Sequence, residues 1–324
     1  MKNMFNQTVY ALSYGLWYVL SLLPMSLLYV LSDCFYFLVA KVVRYRHGVI
    51  WKNLTESFPE KDDSELRQIE NDFYHSFCDY VVETVKLMSM SKRQLMRRLE
   101  FTGLDEVRQC FDNGQSVSVY LGHLFNWEWI TSLPYWVPGN VQCCELYHPL
   151  ENKNFDRLFK RVREKQNALC ITMADSLRRI LEYKRQRQTV IVGYIADQAP
   201  FWNNIHHWVD FLHHDTPVFT GAERIAKHAG QACFYGYIRK VRRGYYVCEM
   251  QPMMIDSKAV PDYEITDEYF RRLEANIREY PGIYLWSHRR WKRTHEEYNI
   301  RYNPENGRVD LRDIETIKRE KGLI

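Results

Sequence analysis

SVSVYLGHLFNWEW, residues 116–129, is the segment on which the interpretation of the whole chain depends. Its first six residues form an apolar, partly β-branched run that is typical of a buried strand. Gly122 ends the run, His123 follows at once, and an aromatic stretch that could begin a helix comes next. A strand-turn-helix of this kind places an imidazole at the carboxyl end of a strand, where α/β sheets commonly carry their chemistry.

Glu128 follows His123 at a spacing of five residues, which limits how the two side chains can meet. On a regular helix these positions point about 140° apart. Contact therefore requires His123 in the turn before the helix and Glu128 in its first turns. A carboxylate on the second imidazole nitrogen would fix the tautomer, as in a histidine general base that acts on a hydroxyl. The alternative is a half-buried structural histidine beside an unrelated glutamate.

The composition fits an intracellular chain that contacts membranes. The 324 residues suffice for one large α/β domain with a helical extension, and aromatic residues make up 15% of them. Tyr and Trp suit deep apolar pockets and membrane interfaces. The net charge is only +4, and the eight cysteines form no C-x-x-C pair. We predict reduced thiols in the cytosol rather than a disulfide framework or a zinc site.

Residues 9–32 contain no charged side chain and are long enough to cross a ~30 Å hydrocarbon core. Pro24 is expected to kink this segment or to split it into two shorter helices. Only Lys2 precedes the segment, whereas a basic cluster follows it, so the positive-inside rule places the downstream chain in the cytoplasm. The cluster comprises Lys41, Arg44, Arg46 and Lys52. Three interpretations stay open: a spanning helix, a kinked pair lying in the inner leaflet, or a buried core helix.

Downstream, apolar strands alternate with amphipathic helices. This predicts an α/β fold with a mixed, largely parallel central sheet flanked by helices, preceded by an N-terminal membrane helix or helical hairpin. We expect a membrane anchor over residues 1–46, an α/β domain over 47–300 that carries the His123 motif, and a C-terminal tail over 301–324. Predicted helices cover 64–88, 154–166, 177–186, 221–229 and 266–280; predicted strands cover 116–121, 169–173 and 189–195, with a hairpin from 231 to 251. Thr220 and Glu223 fit a capping box, and Gly230 a helix stop.

Residues 281–293 form a basic segment flanked by Trp286 and Trp291. Arg gives bidentate contacts to phosphate and Trp favours the membrane interface, so the segment suits phosphate at a membrane surface. A solvated charged face is the alternative. Binding of nucleic acid is disfavoured, because the other basic residues are dispersed and the N-terminus is a membrane segment.

A second unusual segment, residues 206–215, contains His206, His207, His213 and His214. Adjacent histidines point in different directions, and no Cys or H-E-x-x-H frame accompanies them. We therefore predict a loop near the mouth of an active site rather than a metal site.

Five stretches, taken in order, resemble the bacterial lipid A biosynthesis (late, or secondary) acyltransferases of the H-x4-D/E superfamily. The resemblance covers roughly residues 10–295. Two departures are Trp291, where that family usually has Phe, and the histidine-rich segment. The stretches are Asn53-Leu54 with Phe58-Pro59-Glu60-Lys61; Gly122-His123 with Glu128; Ala196-Asp197-Gln198; Pro217-Val218-Phe219-Thr220-Gly221; and Pro281 with Tyr284-Leu285-Trp286 and His288-Arg289-Arg290-Trp291-Lys292.

This resemblance implies transfer of a fatty acyl chain from acyl carrier protein to a hydroxyl of a membrane glycolipid at the inner membrane. Acyl-CoA is the alternative donor, and no other cofactor is expected. His123 would be the general base and Glu128 its support, without an acyl-enzyme, because no activated Ser or Cys is evident in the motif. Asp197 is given a site-shaping role. The candidates for binding the oxyanion or substrate phosphate are Arg161 and Arg163, followed by Arg289, Arg290 and Lys292.

Two other functions stay open at this point. One is an acyltransferase for another membrane acceptor, such as a lysophospholipid or an aminolipid. The other is a catalytically silent lipid-binding protein, against which the His123 and Glu128 pattern argues.

Overall fold

A computed structural model describes residues 2–324 of the chain, with side chains from residue 10 onward. The side chains of Lys2 and Val9, which the analysis of the N-terminal segment uses, lie outside this described part. The strands in chain order are β1 (Leu99–Thr102), β2 (Val117–Leu121), β3 (Gln142–Tyr147), β4 (Leu169–Thr172), β5 (Val190–Ile195), β6 (Trp208–Phe211), β7 (His214–Pro217), β8 (Ala232–Arg242), β9 (Tyr245–Met254), β10 (Tyr302–Asn303) and β11 (Arg308–Val309).

The central sheet has seven strands in the order β1-β9-β8-β2-β5-β3-β4. Its neighbours are parallel except β8 and β9, which form an antiparallel hairpin with its turn at Arg243 and Gly244. Strand β2 lies in the middle and is buried along its whole length, as an apolar strand covered on both faces must be. The predicted mixed, largely parallel sheet and the predicted hairpin are confirmed.

Helices cover this sheet. They are α1 (Lys2–Leu22), α2 (Met25–Tyr36), α3 (His47–Ser57), α4 (Asp63–Leu87), α5 (Lys92–Arg98), α6 (Leu104–Asp112), α7 (Lys153–Glu164), α8 (Ser176–Arg185), α9 (Gly221–Ala229), α10 (Glu264–Glu279), α11 (His295–Arg301) and α12 (Ile314–Glu320). The predicted helices correspond to α4, α7, α8, α9 and α10, and Gly230 ends α9 with a φ of +72°. The predicted boundary at residue 300 falls inside α11, and the division into three segments stays a prediction.

The N-terminal segment is split where Pro24 stands. Helix α1 ends at Leu22, and α2 begins directly after Pro24, since proline can start a helix but cannot continue one. Helix α2 continues into a π-helical stretch, Phe37–Val42. Among the described residues, Met25–Val42 is the one helical segment long and apolar enough to cross a membrane, as judged by length and composition.

The predicted capping box at the start of α9 is wrong. The Thr220 side chain makes no capping hydrogen bond. The buried carboxylate of Glu223 instead accepts hydrogen bonds from the backbone nitrogens of Tyr263, at 2.6 Å, and Thr266, at 3.0 Å. Glu223 therefore stabilises the beginning of α10, whose first amides lack helical partners.

Candidate active site

His123 and Asp197 meet because of the register between two parallel strands. Strand β2 pairs with β5 so that Leu121 lies opposite Ile195. His123 and Asp197 each come two residues beyond these paired positions. The two side chains therefore lie side by side at the carboxyl edge of the sheet, where α/β proteins commonly bind their ligands.

The two residues form a close pair. Nδ1 of His123 lies 2.6 Å from Oδ1 of Asp197, and the His123 backbone nitrogen donates to Oδ2 at 3.0 Å. The Asp197 side chain is only 2% exposed, whereas that of His123 is 17% exposed. A carboxylate at Nδ1 holds the proton there and leaves the Nε2 lone pair as an acceptor. In this tautomer Nε2 accepts a hydrogen bond from the amide of Gln198, at 3.2 Å.

The surroundings keep Asp197 ionised. Burial alone would raise the pKa of this carboxyl, but the charge and hydrogen bonds of His123, together with the charge of Arg290, outweigh burial and lower it. The Tyr284 hydroxyl is buried next to the carboxylate, and burial, followed by the Asp197 charge, raises the pKa of Tyr284. Asp197 can therefore stabilise an imidazolium at His123 without taking up the proton itself.

Gly122 allows α10 to approach the turn that carries His123. A Cβ at this position would lie 2.4 Å from Cδ1 of Leu273, which is fully buried. In addition, the Tyr269 hydroxyl on α10 donates to the carbonyl of Leu121 at 2.7 Å. Helix α10 thus packs directly on the end of β2 and holds the turn in place.

Glu128 does not contact His123 in the structure, so the predicted His123–Glu128 pair is corrected. The Glu128 carboxylate receives two hydrogen bonds from Arg163 of α7, at 2.6 and 2.9 Å. Glu128 is 3% exposed and Arg163 is 21% exposed. A carboxylate buried this deeply requires a charged partner, and the planar guanidinium satisfies both of its oxygens.

The backbone explains why five residues of separation do not bring Glu128 to the imidazole. The chain after His123 is extended rather than helical: the backbone nitrogen of Phe125 donates to the carbonyl of Ile283 at 2.9 Å. The Asn126 side chain then caps a 3-10 helix, Trp127–Tyr135, by accepting from the backbone nitrogen of Glu128 at 3.0 Å. His123 does precede the helix and Glu128 is in its first turn, as expected, but the carboxylate points toward α7.

Comparison with known protein families identifies the family of the chain. The family model for bacterial lipid A biosynthesis acyltransferases matches residues 1–293. The chain belongs to this family. A search of curated proteins found no match to the chain. Membership in the lipid A biosynthesis acyltransferases makes the protein an acyltransferase, and the family is membrane-associated in bacteria.

In this lipid A acyltransferase, the predicted basic residues occupy different environments. Arg163 is engaged by Glu128, and Arg161 is exposed, with its guanidinium 4.7 Å from the ring of Tyr14 in α1. Arg289 and Lys292 are exposed on the segment that follows Trp286. Arg290 is the basic residue whose charge acts on Asp197. The structure therefore brings Arg290, rather than Arg161 or Arg163, to the His123–Asp197 pair.

Arg290 is an unusual cation because it is only 1% exposed. Its Nη2 donates to the carbonyl of Pro217 at 2.9 Å, while Nε and Nη1 have no hydrogen-bond partner among the described residues. His288 lies nearby, with a buried Nε2 that likewise has no partner there. Burial, with further contributions from the charges of His123 and Arg290, lowers the pKa of His288 to about 4. The lipid A acyltransferase thus has a neutral imidazole and unused guanidinium donors beside its candidate base.

The sequence analysis did not single out Gln198 and His288 as site residues. Both stand inside stretches quoted for the family resemblance, next to Asp197 and Arg289 respectively. The signal that could have identified them is their position, Gln198 beside the end of a strand and His288 within the basic segment. Both are far from His123 along the chain, so the sequence did not indicate that they lie near it.

The histidine-rich segment forms the β6–β7 hairpin instead of the predicted loop. His207 Nε2 pairs with Asp267 of α10 at 2.6 Å, and the His214 ring stacks on Trp291 at a centroid distance of 4.0 Å. Within residues 2–324, no group of three or more His, Cys, Asp or Glu side chains could hold a metal ion. The hairpin packs against the basic segment of the lipid A acyltransferase, which indicates a supporting position.

Proposed function

We propose that this lipid A acyltransferase moves a fatty acyl chain from acyl carrier protein to a hydroxyl of a lipid A precursor. The family match supports the reaction class. The observation that carries the mechanism is the 2.6 Å contact between His123 Nδ1 and Asp197, which leaves Nε2 as the base. Acyl-CoA is the second donor to be tested, and the reaction as written needs no other cofactor.

In the proposed step the acceptor hydroxyl replaces the Gln198 amide at His123 Nε2. As Nε2 takes the hydroxyl proton, the oxygen attacks the thioester carbonyl, and Asp197 stabilises the imidazolium that forms. The tetrahedral intermediate collapses with cleavage of the carbon–sulfur bond. The thiolate leaving group then takes the proton from Nε2, which restores the neutral imidazole. The acyl group passes directly to the lipid, without a covalent enzyme intermediate.

We propose that the region of Arg290 and His288 binds the oxyanion or a substrate phosphate. Arg290 has unpartnered donors and is fully desolvated, so its charge acts at low screening. Arg289 and Lys292 are exposed and available to a phosphate on the lipid. Arg163 is committed to Glu128, so this ion pair serves to hold the turn after His123 against α7.

We place the catalytic domain on the cytoplasmic side of the inner membrane. The support is the exposed cluster Lys41, Arg44 and Arg46 at the end of the apolar N-terminal helices, since the anionic lipids of the cytoplasmic leaflet attract basic side chains. Acyl carrier protein and membrane lipid are the expected partners.

The test is acyl transfer by His123→Ala, measured with acyl carrier protein loaded with a labelled acyl chain and a lipid A precursor in detergent micelles. We expect loss of transfer by at least about a hundredfold in a protein that stays folded. His207→Ala is the matched control, since the His207 side chain also pairs with an aspartate, Asp267, rather than with His123 or Asp197. Normal transfer by His123→Ala would contradict the mechanism.

The acceptor and the presence of turnover are tested separately. Lipid mass spectrometry of cells with and without the gene identifies which lipid loses one acyl chain. If the only lipid that lacks a chain is a phospholipid or an aminolipid, the acceptor is a lysophospholipid or that aminolipid rather than the lipid A precursor. Absence of thioester turnover by the folded protein with every acceptor would instead identify a silent lipid-binding protein.

A further inference from the structure

The two N-terminal helices each present an apolar stripe away from the rest of the protein. On α1 the exposed residues Leu12, Leu16 and Val19 follow helical spacing. On α2 and its π-helical extension the exposed apolar residues are Leu27, Val30, Leu31, Phe35, Phe37, Leu38 and Val42. An exposed apolar surface of this extent requires a nonpolar partner.

The opposite face of α2 is docked lengthwise on α4. Three polar side chains of α2 contact α4 at successive turns, and the partners run in the reverse direction, so the two helices are antiparallel neighbours. In order along α2, Tyr29 Oη donates to Glu83 Oε1 at 2.8 Å, Ser32 Oγ donates to Asp79 Oδ1 at 2.8 Å, and Tyr36 Oη donates to Asn71 Oδ1.

An ion-pair network reinforces this docking. Arg243, at the turn between β8 and β9, pairs with Asp33 of α2 and with Asp79 of α4, both at 2.6 Å. Its Nη2 also donates to the backbone carbonyl of Tyr29 at 3.3 Å. The single acidic residue of the apolar segment is therefore neutralised by the catalytic domain.

Helix α1 is fastened to the same domain. Trp17 Nε1 donates to the carbonyl of Val85 at 3.0 Å, and Lys86 Nζ donates to the carbonyl of Ser21 at 2.8 Å. Trp17 and Ser21 each stand two residues from Val19, and positions two residues apart on a helix differ by about 200°, so both point away from the exposed stripe. Both helices thus have one face on the domain and one apolar face outward.

We propose that α1 and α2 lie in the plane of the membrane surface, with their apolar stripes in the acyl region of one leaflet, and that neither crosses the bilayer. The segment Met25–Val42 would span about 27 Å as a helix at ~1.5 Å per residue. Its hydrogen bonds to α4 run from Tyr29 to Tyr36, about 10 Å of that length, and their partners run from Glu83 to Asn71, about 18 Å along α4. A spanning α2 would carry this part of α4, with buried Asp79 and exposed Asp72, into hydrocarbon.

This arrangement goes beyond the proposed reaction, because it concerns how the chain contacts lipid and holds for any acylated acceptor. The basic residues after α2 fit it, since an in-plane helix keeps them at the level of anionic headgroups. Transfer activity is accordingly not used as a readout.

The first experiment uses a photoreactive residue at two adjacent positions of the full chain in native membranes. Tyr36→p-benzoylphenylalanine is expected to crosslink to the α4 peptide, because the Tyr36 ring stacks on His75 at a centroid distance of 3.6 Å. Phe37→p-benzoylphenylalanine is the matched control and is expected to crosslink to lipid, since Phe37 is 63% exposed. Mass spectrometry identifies the adducts. Lipid adducts at both positions would overturn the proposal.

The second experiment locates the N-terminus with a short epitope tag and protease added to intact spheroplasts. In-plane helices predict a tag that is protected until the spheroplasts are lysed, like a tag at the C-terminus. Digestion of the N-terminal tag in intact spheroplasts would show a crossing and overturn the proposal. A membrane-inserted hairpin of α1 and α2 would protect the tag but abolish the crosslink to α4, so the two measurements together exclude or establish it.

Discussion

Replacing Asp197 by Asn tests whether Asp197, which contacts His123 in the structure, supports the base, or whether Glu128 does, as residue spacing predicts. The carboxylate accepts one hydrogen bond from His123 Nδ1 and a second from the His123 backbone nitrogen. An asparagine has one acceptor oxygen and no charge, so it can keep only one of these bonds and cannot stabilise the imidazolium.

The size of the effect follows from these contacts. A hydrogen bond to a charged group contributes about 1.5–3 kcal/mol, and converting the surviving bond to a neutral one costs about 1 kcal/mol more. The sum of about 2.5–4 kcal/mol corresponds to a rate loss of about 10²–10³-fold at about 1.36 kcal/mol per factor of ten. We expect this loss in kcat, because the charge of Asp197 matters most once His123 is protonated.

The assay is initial-rate acyl transfer from loaded acyl carrier protein, with the melting temperature measured on the same preparations. Asp267→Asn is the matched control, since Asp267 also pairs with a histidine at 2.6 Å but lies elsewhere. The reasoning is refuted if Asp197→Asn retains a rate within about threefold of wild type. It is equally refuted if Glu128→Gln loses transfer at full thermal stability, because that result would restore Glu128 as the partner of His123.

Three further predictions concern residues around the site. Glu128→Gln should lower the free energy of unfolding by about 3 kcal/mol in denaturant titrations, because it leaves Arg163 largely buried without its counter-charge; an unchanged midpoint would contradict the structural role. Burial raises the pKa of Glu83 from 4.5 to about 7, so the folded state keeps a proton that the unfolded state releases, and the contribution of Glu83 to stability should fall by about 3 kcal/mol as the pH rises from 4.5 to 7. Glu83→Gln should remove that dependence in the same titrations, whereas a variant with the wild-type pH profile would exclude Glu83 as its source. Gln198→Ala should change the transfer rate by at most about tenfold, since it removes one neutral hydrogen bond at His123 Nε2, and a larger loss would show that Gln198 acts on the substrate.

Local patterns in the chain predicted the elements well, because their boundaries depend on neighbouring residues. Pro24 splits the N-terminal segment, Gly230 ends α9, and α4 occupies the predicted amphipathic stretch. The strand before His123 and its place in the turn also followed from local composition. These features depend on helix and strand periodicity, which the order of residues expresses directly.

The partner of His123 could not be obtained in that way, because it depends on which strands are neighbours. Asp197 reaches the imidazole because β5 pairs with β2 in a particular register. The residues near His123 do not indicate which strand is the neighbour of β2. Glu128 was the nearest carboxylate along the chain, yet Arg163 of a distant helix satisfies it. Glu223 shows the same limit: its spacing from Thr220 suggested a local cap, and its buried carboxylate caps another helix.

The position of β2 in the middle of the sheet also determines the order in which the protein can assemble during synthesis. Val117 of β2 lies opposite Ile191 of β5 on one side and Ala232 of β8 on the other. Strand β1 likewise pairs with the distant β9, where Leu99 lies opposite Tyr246. Such distant pairings close late, whereas the helices at the start of the chain leave the ribosome first. If α1 and α2 lie on the membrane surface as proposed, they reach lipid while β2 still has two unpaired edges, and the sheet of the catalytic domain closes on a chain that is already at the bilayer.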